Sequence, residues 1–381
     1  MSAWPGKYVI GLTGNIATGK SVVRKMLEHL GAYGIDADAL GHRAIAKDAP
    51  GYQPVLDEFG KWILAADGQI DRAKLARVVF NDPEAMKRLE AIVHPLVRQA
   101  VDVLIRRAKE KVIIIEAIKL IESPLRQSCD ALWVTYSPPE VQLARLMQKR
   151  GMPEEAAQQR IKAQPPQEEK LSVADIIIRN DGSFENTWRQ VSAFWQQELA
   201  AVVALEPALP LPTAVAGKGE LMVERARPRH ANEIAALINR LSQGRRRMTH
   251  EDVMAAFGEK AFLFLKMDGK PIGLVGWQVE NLVSRTDDVY LEASLPLSKA
   301  MPLLMEEVER ASRDLQCEVS LLFLPPALAQ QADVWRSLGY ELRTIQSLGV
   351  RAWQEAAAEK IPSGLVMFFK QLRKDRVMRP I

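Results

Sequence analysis

The sequence predicts an α/β protein in two parts: a doubly wound parallel sheet covered by helices, followed by a smaller α+β domain. Three observations predict it. Through the first half, short β-branched runs alternate with longer helical stretches, the pattern of strands returning in parallel through helical crossovers. A glycine loop joins the first run to the first helical stretch. Between Glu206 and Glu220 the stretch EPALPLPTAVAGKGE, poor material for a helix interior or a central strand, breaks the pattern before alternation resumes in a different style.

The strands expected in the first part are Tyr8–Thr13, Ala32–Ile35, Val112–Ile115, Leu132–Tyr136 and Ile176–Arg179. Lys20–Leu30 reads as a helix closed by Gly31, and Pro83–Arg107 carries apolar residues at helical spacing. In the second part a strand at Leu221–Arg225 precedes a helix at His230–Leu241. Phe262–Met267 and Ile272–Val279 then form a hairpin turning at Asp268-Gly269. The expected division is residues 1–204, a linker at 205–220, and residues 221–375. A chain of 381 residues fits two such domains. No internal repeat links the halves.

Composition narrows the class. Hydrophobic residues make up 48% and charged residues 26%, enough for packed cores and unlike a disordered chain. A net charge of +4, from 51 basic and 47 acidic residues, gives no case for nucleic acid as a partner and suits phosphorylated small molecules. Cys129 and Cys317 form neither a disulfide framework nor a metal-ligand spacing, so a reducing cytoplasm is expected. Met1 runs into a strand without a signal-like apolar core, and apolar runs such as Val112–Ile115 fall far short of the roughly 20 residues a spanning helix needs. No export and no membrane segment are expected. The oligomeric state is not legible.

The strongest chemical signal is Gly14-Asn15-Ile16-Ala17-Thr18-Gly19-Lys20-Ser21, which matches G-x-x-x-x-G-K-[ST] between a strand and a helix. Such a loop turns successive N–H groups inward onto phosphate oxygens, and the helix behind it adds the positive end of its dipole. Lys20 is expected to reach the β- and γ-phosphates of ATP and Ser21 to join the shell of a Mg²⁺ ion. The plainer reading is a strand-to-helix turn that binds nothing.

Asp36-Ala37-Asp38 follows the second strand, at the sheet end where ligands collect in such folds. One carboxylate is a candidate to take the proton of an acceptor hydroxyl. The competing reading is an aspartate capping the helix that begins near Ala39. Arg145, Lys149, Arg150 and Arg160 lie on two helical stretches separated by Gly151-Met152-Pro153 and read as a lid, with a solvated basic face as the alternative.

Together these residues resemble the dephospho-coenzyme A kinase family over about Lys7 to Trp195. The stretches that carry the resemblance include GLTGNIATGKS at Gly11–Ser21, DAD at Asp36–Asp38, DGQIDRAKLARVVF at Asp67–Phe80 and IVHPLVR at Ile92–Arg98. SPPEVQLARLMQKRG at Ser137–Gly151, RIKAQ at Arg160–Gln164 and ADIIIRNDGS at Ala174–Ser183 complete the set. The resemblance implies Mg²⁺- and ATP-dependent phosphorylation of the ribose 3′-hydroxyl of dephospho-coenzyme A. It implies Asp38 as base, Arg145 as the lid arginine, Thr13, Asp36 and His94 on the substrate side, and Asn180 and Gly182 beside the adenine. For His94, packing at a helix terminus is the alternative.

The chain departs from the family at three places. Asn15 and Ala17 stand where glycines are usual. Ile118-Lys119-Leu120 replaces a Pro-Leu-Leu segment. His42 and Arg43 stand where an arginine is usual after DAD, and that arginine is displaced. A kinase of another nucleoside-like acceptor, or a nucleotide-binding regulator without turnover, are the competing functions.

Residues 221–375 resemble GNAT acetyltransferases in element order, through ARPRHANEIAALINRL, the Asp268 hairpin and WRSLGYEL. The glycine-rich loop that such enzymes offer to a pyrophosphate is missing: Tyr290-Leu291-Glu292-Ala293-Ser294-Leu295-Pro296 contains no glycine. The missing loop points to a degenerate domain rather than an enzyme, and the fusion to a kinase resembling coenzyme A-making enzymes gives the expectation that it binds a coenzyme A species to sense or channel product. Tyr340 reads as structural, and Arg245-Arg246-Arg247 as a contact for coenzyme A phosphates, a contact for an acidic partner, or a solvated loop.

Overall fold

The computed structural model describes residues 3–203, 219–280, 282–358 and 364–374. The linker expected at 205–220 lies almost wholly outside the described residues. In the first part, β1 (Tyr8–Thr13), β2 (Tyr33–Asp36), β3 (Val112–Glu116), β4 (Ala131–Tyr136) and β5 (Ile176–Arg179) form one sheet in the order β2-β3-β1-β4-β5. Every pairing in it is parallel. The order reverses about β1, so the loop after β1 opens at the switch point where ligands bind in such sheets.

Side chains alternate along β1 and divide the core in two. Ile10 and Leu12 face α1 (Lys20–Leu30), where Val23, Met26 and Leu27 meet Trp133 and Trp195. Val9 faces the other way, toward α2 (Ala37–Ala44), whose Leu40 and Ala44 pack with Val97, Val101 and Leu104 of the long helix further along. Between those two helices run α3 (Tyr52–Phe59) and α4 (Arg72–Asn81), and the long helix itself is α5 (Pro83–Arg107). The four β-branched residues of β3 are fully buried because the strand is covered on both faces, which is why the run reads as continuous rather than alternating.

The two stretches read as a lid form α6 (Pro139–Arg150) and α7 (Glu154–Lys162), with Gly151 closing α6 in the left-handed conformation. α8 (Gln167–Leu171) and α9 (Phe184–Val203) complete the first part.

In the second part, β6 (Leu221–Arg225), β7 (Ala261–Met267), β8 (Lys270–Glu280), β9 (Val283–Leu291), β10 (Val319–Leu324), β11 (Glu341–Leu342) and β12 (Val366–Gln371) form a sheet in the order β11-β12-β10-β9-β8-β7-β6. Only β9 and β10 pair in parallel; the remaining pairings are antiparallel. One face is covered by α10 (Ala231–Leu241) and α11 (His250–Ala256), the other by α12 (Leu297–Asp314). Short helices α13 (Pro326–Ala329), α14 (Ala332–Ser337) and α15 (Arg351–Ala358) finish it. This is the strand, helix, hairpin order expected for a GNAT-like domain.

The two parts touch directly. Leu282 and Leu315 pack on the core between β1 and α5. Lys25 Nζ donates to the Val279 carbonyl at 3.1 Å, and the His29 ring bonds the Phe257 carbonyl at 2.8 Å. Arg43 forms a buried ion pair with Glu318. No helix among the described residues is long and apolar enough to cross a membrane.

Candidate active site

The loop after β1 is shaped by two glycines. Gly14 has φ +151°, and a Cβ there would fall 2.3 Å from Thr135 Oγ1. Gly19 has φ +90°, and a Cβ there would fall 1.9 Å from Asn180 Nδ2. Neither position accepts a side chain without moving its neighbour. Lys20, almost fully buried, folds back so that Nζ donates to the Gly14 carbonyl at 3.1 Å and the Asn15 carbonyl at 3.3 Å. Thr18 Oγ1 meets Thr135 Oγ1 at 2.7 Å under the loop.

Asn15 Nδ2 donates to the Pro165 carbonyl at 2.9 Å, and the Ile16 N–H donates to Gln164 Oε1 at 2.7 Å. The loop is thus tied to the chain just beyond the lid, and Ile16 packs with Leu146 and Ala157 of the lid helices. Ala17 sits at φ +59°, a conformation that glycine adopts at no steric cost.

Arg145 joins three parts of the site. Its Nη1 donates to the Ala17 carbonyl at 3.1 Å and to Ser137 Oγ at 2.9 Å, and its Nη2 donates to the Asn180 carbonyl at 2.7 Å. Burial pulls this guanidinium below its ordinary value. Asn180 spans the same gap, donating from Nδ2 to the Thr18 carbonyl at 2.9 Å. Arg145, Asn180 and Gly182 line one cavity with Gly19, Lys20 and Ser21. The side chains of Lys149 and Arg150 lie outside the described residues, and among those described no hydrogen bond or ion pair ties Arg160 to the loop.

Asp36 and Asp38 behave differently. Asp36 Oδ1 accepts the Ala39 N–H at 2.8 Å as the cap of α2, so the capping reading applies to it. Asp38 Oδ2 accepts the Ile118 N–H at 3.0 Å across the end of β3. Burial, reinforced by the Asp36 charge, pushes the Asp38 carboxyl up to about 6, suited to a base that works near neutrality. The Ile118 carbonyl accepts from Thr13 Oγ1 at 3.0 Å and from Lys170 Nζ at 2.6 Å. The segment that departs most from the family therefore serves the site through its main chain. His94 lies half-buried on α5 and is absent from the lining of the cavities beside the loop.

Two residues escaped the sequence reading. Glu116, the last residue of β3, accepts from Ser21 Oγ at 2.8 Å and from Arg24 Nε at 2.7 Å. Its signal was present in VIIIE: a buried strand ending in a carboxylate beside the loop strand, as a Walker-B acid does. Lys170 is the other. It is buried, and burial lowers its ammonium below the ordinary value against the partial support of Glu122. Nothing local in QEEKL distinguishes it from a surface lysine.

Arg43, one of the two residues standing where an arginine is usual after DAD, pairs with Glu318 of the second part. In the second part, Tyr340 is buried and shares a hydrogen bond of 2.9 Å with Ser320, as the structural reading expected. Arg246 is taken up by Asp288 and by the Tyr290 hydroxyl, and Arg245 by the Ser242 carbonyl. In the segment without glycine after β9, Glu292 pairs with Arg240 at 2.6 Å, which places a carboxylate where an anion cradle would need N–H groups. Cys129 and Cys317 are both buried free thiols.

A parallel sheet with this loop at its switch point, flanked by the helix pair α6 and α7 and by a buried carboxylate, is the frame of a P-loop kinase of small molecules. The comparisons give the particular family. Residues 8–186 match the family model described as dephospho-CoA kinase. The dephospho-CoA kinase of Geobacter metallireducens is 42% identical over 194 residues, covering 50% of this chain and 96% of that protein. That of Aquifex aeolicus is 43% identical over 189 residues, covering 49% and 96%. The chain belongs to the dephospho-CoA kinase family, through its N-terminal half, and that half is a kinase.

Among solved structures, a Thermus thermophilus protein is 33% identical at a TM-score of 0.46, covering 50% of this chain and 98% of its own. An acetyltransferase of the GNAT family from Staphylococcus aureus aligns with 40% of this chain and 99% of its own at 9% identity and a TM-score of 0.34.

Proposed function

We propose that the N-terminal domain transfers the γ-phosphoryl group of ATP to the ribose 3′-hydroxyl of dephospho-coenzyme A, giving coenzyme A and ADP. The observation that supports this reading best is Asp38, held by the Ile118 N–H at 3.0 Å with its carboxyl raised to about 6. At neutral pH such a carboxylate is ionised, yet basic enough to accept the hydroxyl proton as the acceptor oxygen attacks.

The loop N–H groups and the start of α1 bind the phosphates. Lys20 turns from the Gly14 and Asn15 carbonyls to the β- and γ-oxygens, and Arg145 offsets charge developing on the transferred group. Asn180 and Gly182 border the adenine, and Thr13 and Asp36 hold the acceptor side. We place His94 there too, in the weaker role of shaping the acceptor entrance.

Ser21 and Glu116 supply hard oxygen donors side by side at the loop, a set that fits Mg²⁺. When bound, Mg²⁺ neutralises charge on the phosphate oxygens.

The test is ADP production by the full-length chain with Mg-ATP, with and without dephospho-coenzyme A, alongside Lys20→Ala. Turnover needing both the acceptor and Lys20 is expected. ATP binding without acceptor-dependent turnover would replace this reading with a nucleotide-binding regulator, and turnover on a different nucleoside would reassign the acceptor.

A further inference from the structure

The cavity beside Lys20, about 510 Å³, is not closed by the kinase domain alone. Its opposite wall comes from the second domain: Gly258 and Glu259 after α11, and Gln278, Val279 and Glu280 at the end of β8. This wall is fixed by specific bonds. Lys25, which donates to the Val279 carbonyl, stands four residues after Ser21 on α1, about 6 Å along the helix axis from the phosphate-binding end. His29, one turn further, holds the Phe257 carbonyl, with its ring edge-on to Phe257 at 5.4 Å. Gly258 fits against Phe184, where a Cβ would fall 2.9 Å from the ring, and Phe184 stands two residues after Gly182.

A triphosphate seated in the loop uses only part of this space, so the nucleoside end must lie against one of the remaining walls. Gln278 is half-buried in that wall, and its carboxamide makes no side-chain hydrogen bond among the described residues. A carboxamide offers a donor and an acceptor together, the pairing that suits a base edge or a ribose hydroxyl.

We propose that the second domain forms one wall of the nucleotide site and that Gln278 recognises the nucleoside part of the bound nucleotide. The inference rests on the reading that the cavity beside Lys20 takes ATP. It gives the second domain a role in the kinase reaction itself, without any acyl transfer.

The experiment measures ATP affinity of the full-length chain by calorimetry, for wild type, Gln278→Ala, Gln278→Trp and Lys20→Ala, with steady-state KM values for both substrates. Removing the carboxamide should weaken ATP binding by about three- to tenfold, the range of one hydrogen bond. Filling the wall with tryptophan should weaken it by more than about tenfold, while KM for dephospho-coenzyme A stays within about twofold. Gln278→Ala only removes atoms, so it decides the matter if the tryptophan variant fails to fold. Unchanged ATP affinity in Gln278→Ala, with binding lost in Lys20→Ala, overturns the proposal and leaves the kinase reading standing. A lowered thermal midpoint with unchanged affinity overturns it too, reducing Gln278 to interface packing. Retained ATP binding in Lys20→Ala removes the nucleotide reading, and the proposal with it.

Discussion

Arg43 and Glu318 form an ion pair buried between the two domains, 275 residues apart in sequence, and Glu318 also accepts the Trp353 indole N–H at 3.0 Å. The arginine displaced by one position after DAD serves as a clamp between the two domains. Removing one member leaves the other charge buried without its partner, so Glu318→Ala should cost about 3–5 kcal/mol of stability. Urea unfolding followed by the fluorescence of Trp353 and the other tryptophans checks this. Glu318→Gln, which keeps an acceptor for the indole, should cost less.

The raised Asp38 carboxyl makes a pH prediction. A base must be ionised to act, so log kcat should fall with unit slope below about pH 6 and level off above about pH 7. Asp38→Asn should lower kcat by roughly a hundredfold or more and abolish that limb. Stability moves the other way. With an ordinary aspartate value near 3.9, the unfolded chain ionises before the folded one, so ionisation of Asp38 disfavours the fold as pH rises from about 4 to about 6. The penalty is absent below that window and complete above it. Relative to wild type, Asp38→Asn should therefore gain on the order of 1–3 kcal/mol between pH 4 and pH 7, read as the pH dependence of the unfolding midpoint.

Lys170 holds the Ile118 carbonyl, and Ile118 holds Asp38. Lys170→Met keeps the aliphatic stem but loses the donor. It should lower kcat by about tenfold or more with little change in KM for ATP, because its hydrogen bond goes to the Ile118 carbonyl. A purely structural role would lower the melting midpoint and leave the kcat of the folded fraction intact.

Ala17 pays the steric cost of a left-handed residue, about 1–2 kcal/mol, partly offset by the smaller unfolded-state entropy of alanine relative to glycine. Ala17→Gly should raise stability by about 0.5–1 kcal/mol, measurable by chemical denaturation.

Much of the kinase half was legible because its parallel strands are buried on both faces and show as unbroken β-branched runs. β1 and β5 coincide with the expected runs, whereas β2 begins one residue later than expected, at Tyr33, and ends on Asp36, the cap of α2. The choice between base and cap for the two aspartates was open in the sequence, since only tertiary contacts separate a carboxylate facing Ala39 from one facing Ile118. Glu116 was missed by ending β3 one residue short. Lys170, Gln278 and the Arg43 clamp had no local signature: each depends on a partner or a wall contributed from far along the chain.

Asp38, Thr13 and Lys170 all meet Ile118 through its N–H and C=O, and a peptide group is spelled the same way under almost every residue. Substitution at 118 should thus be nearly silent for the chemistry, with proline, which lacks the N–H, as the exception. Spacing is another matter: one residue inserted or lost between Glu116 and Ile118 would point the wrong peptide group at Asp38. The contact at Asp38 therefore depends on length rather than on lettering: a changed residue at 118 leaves it in place, and a changed spacing does not.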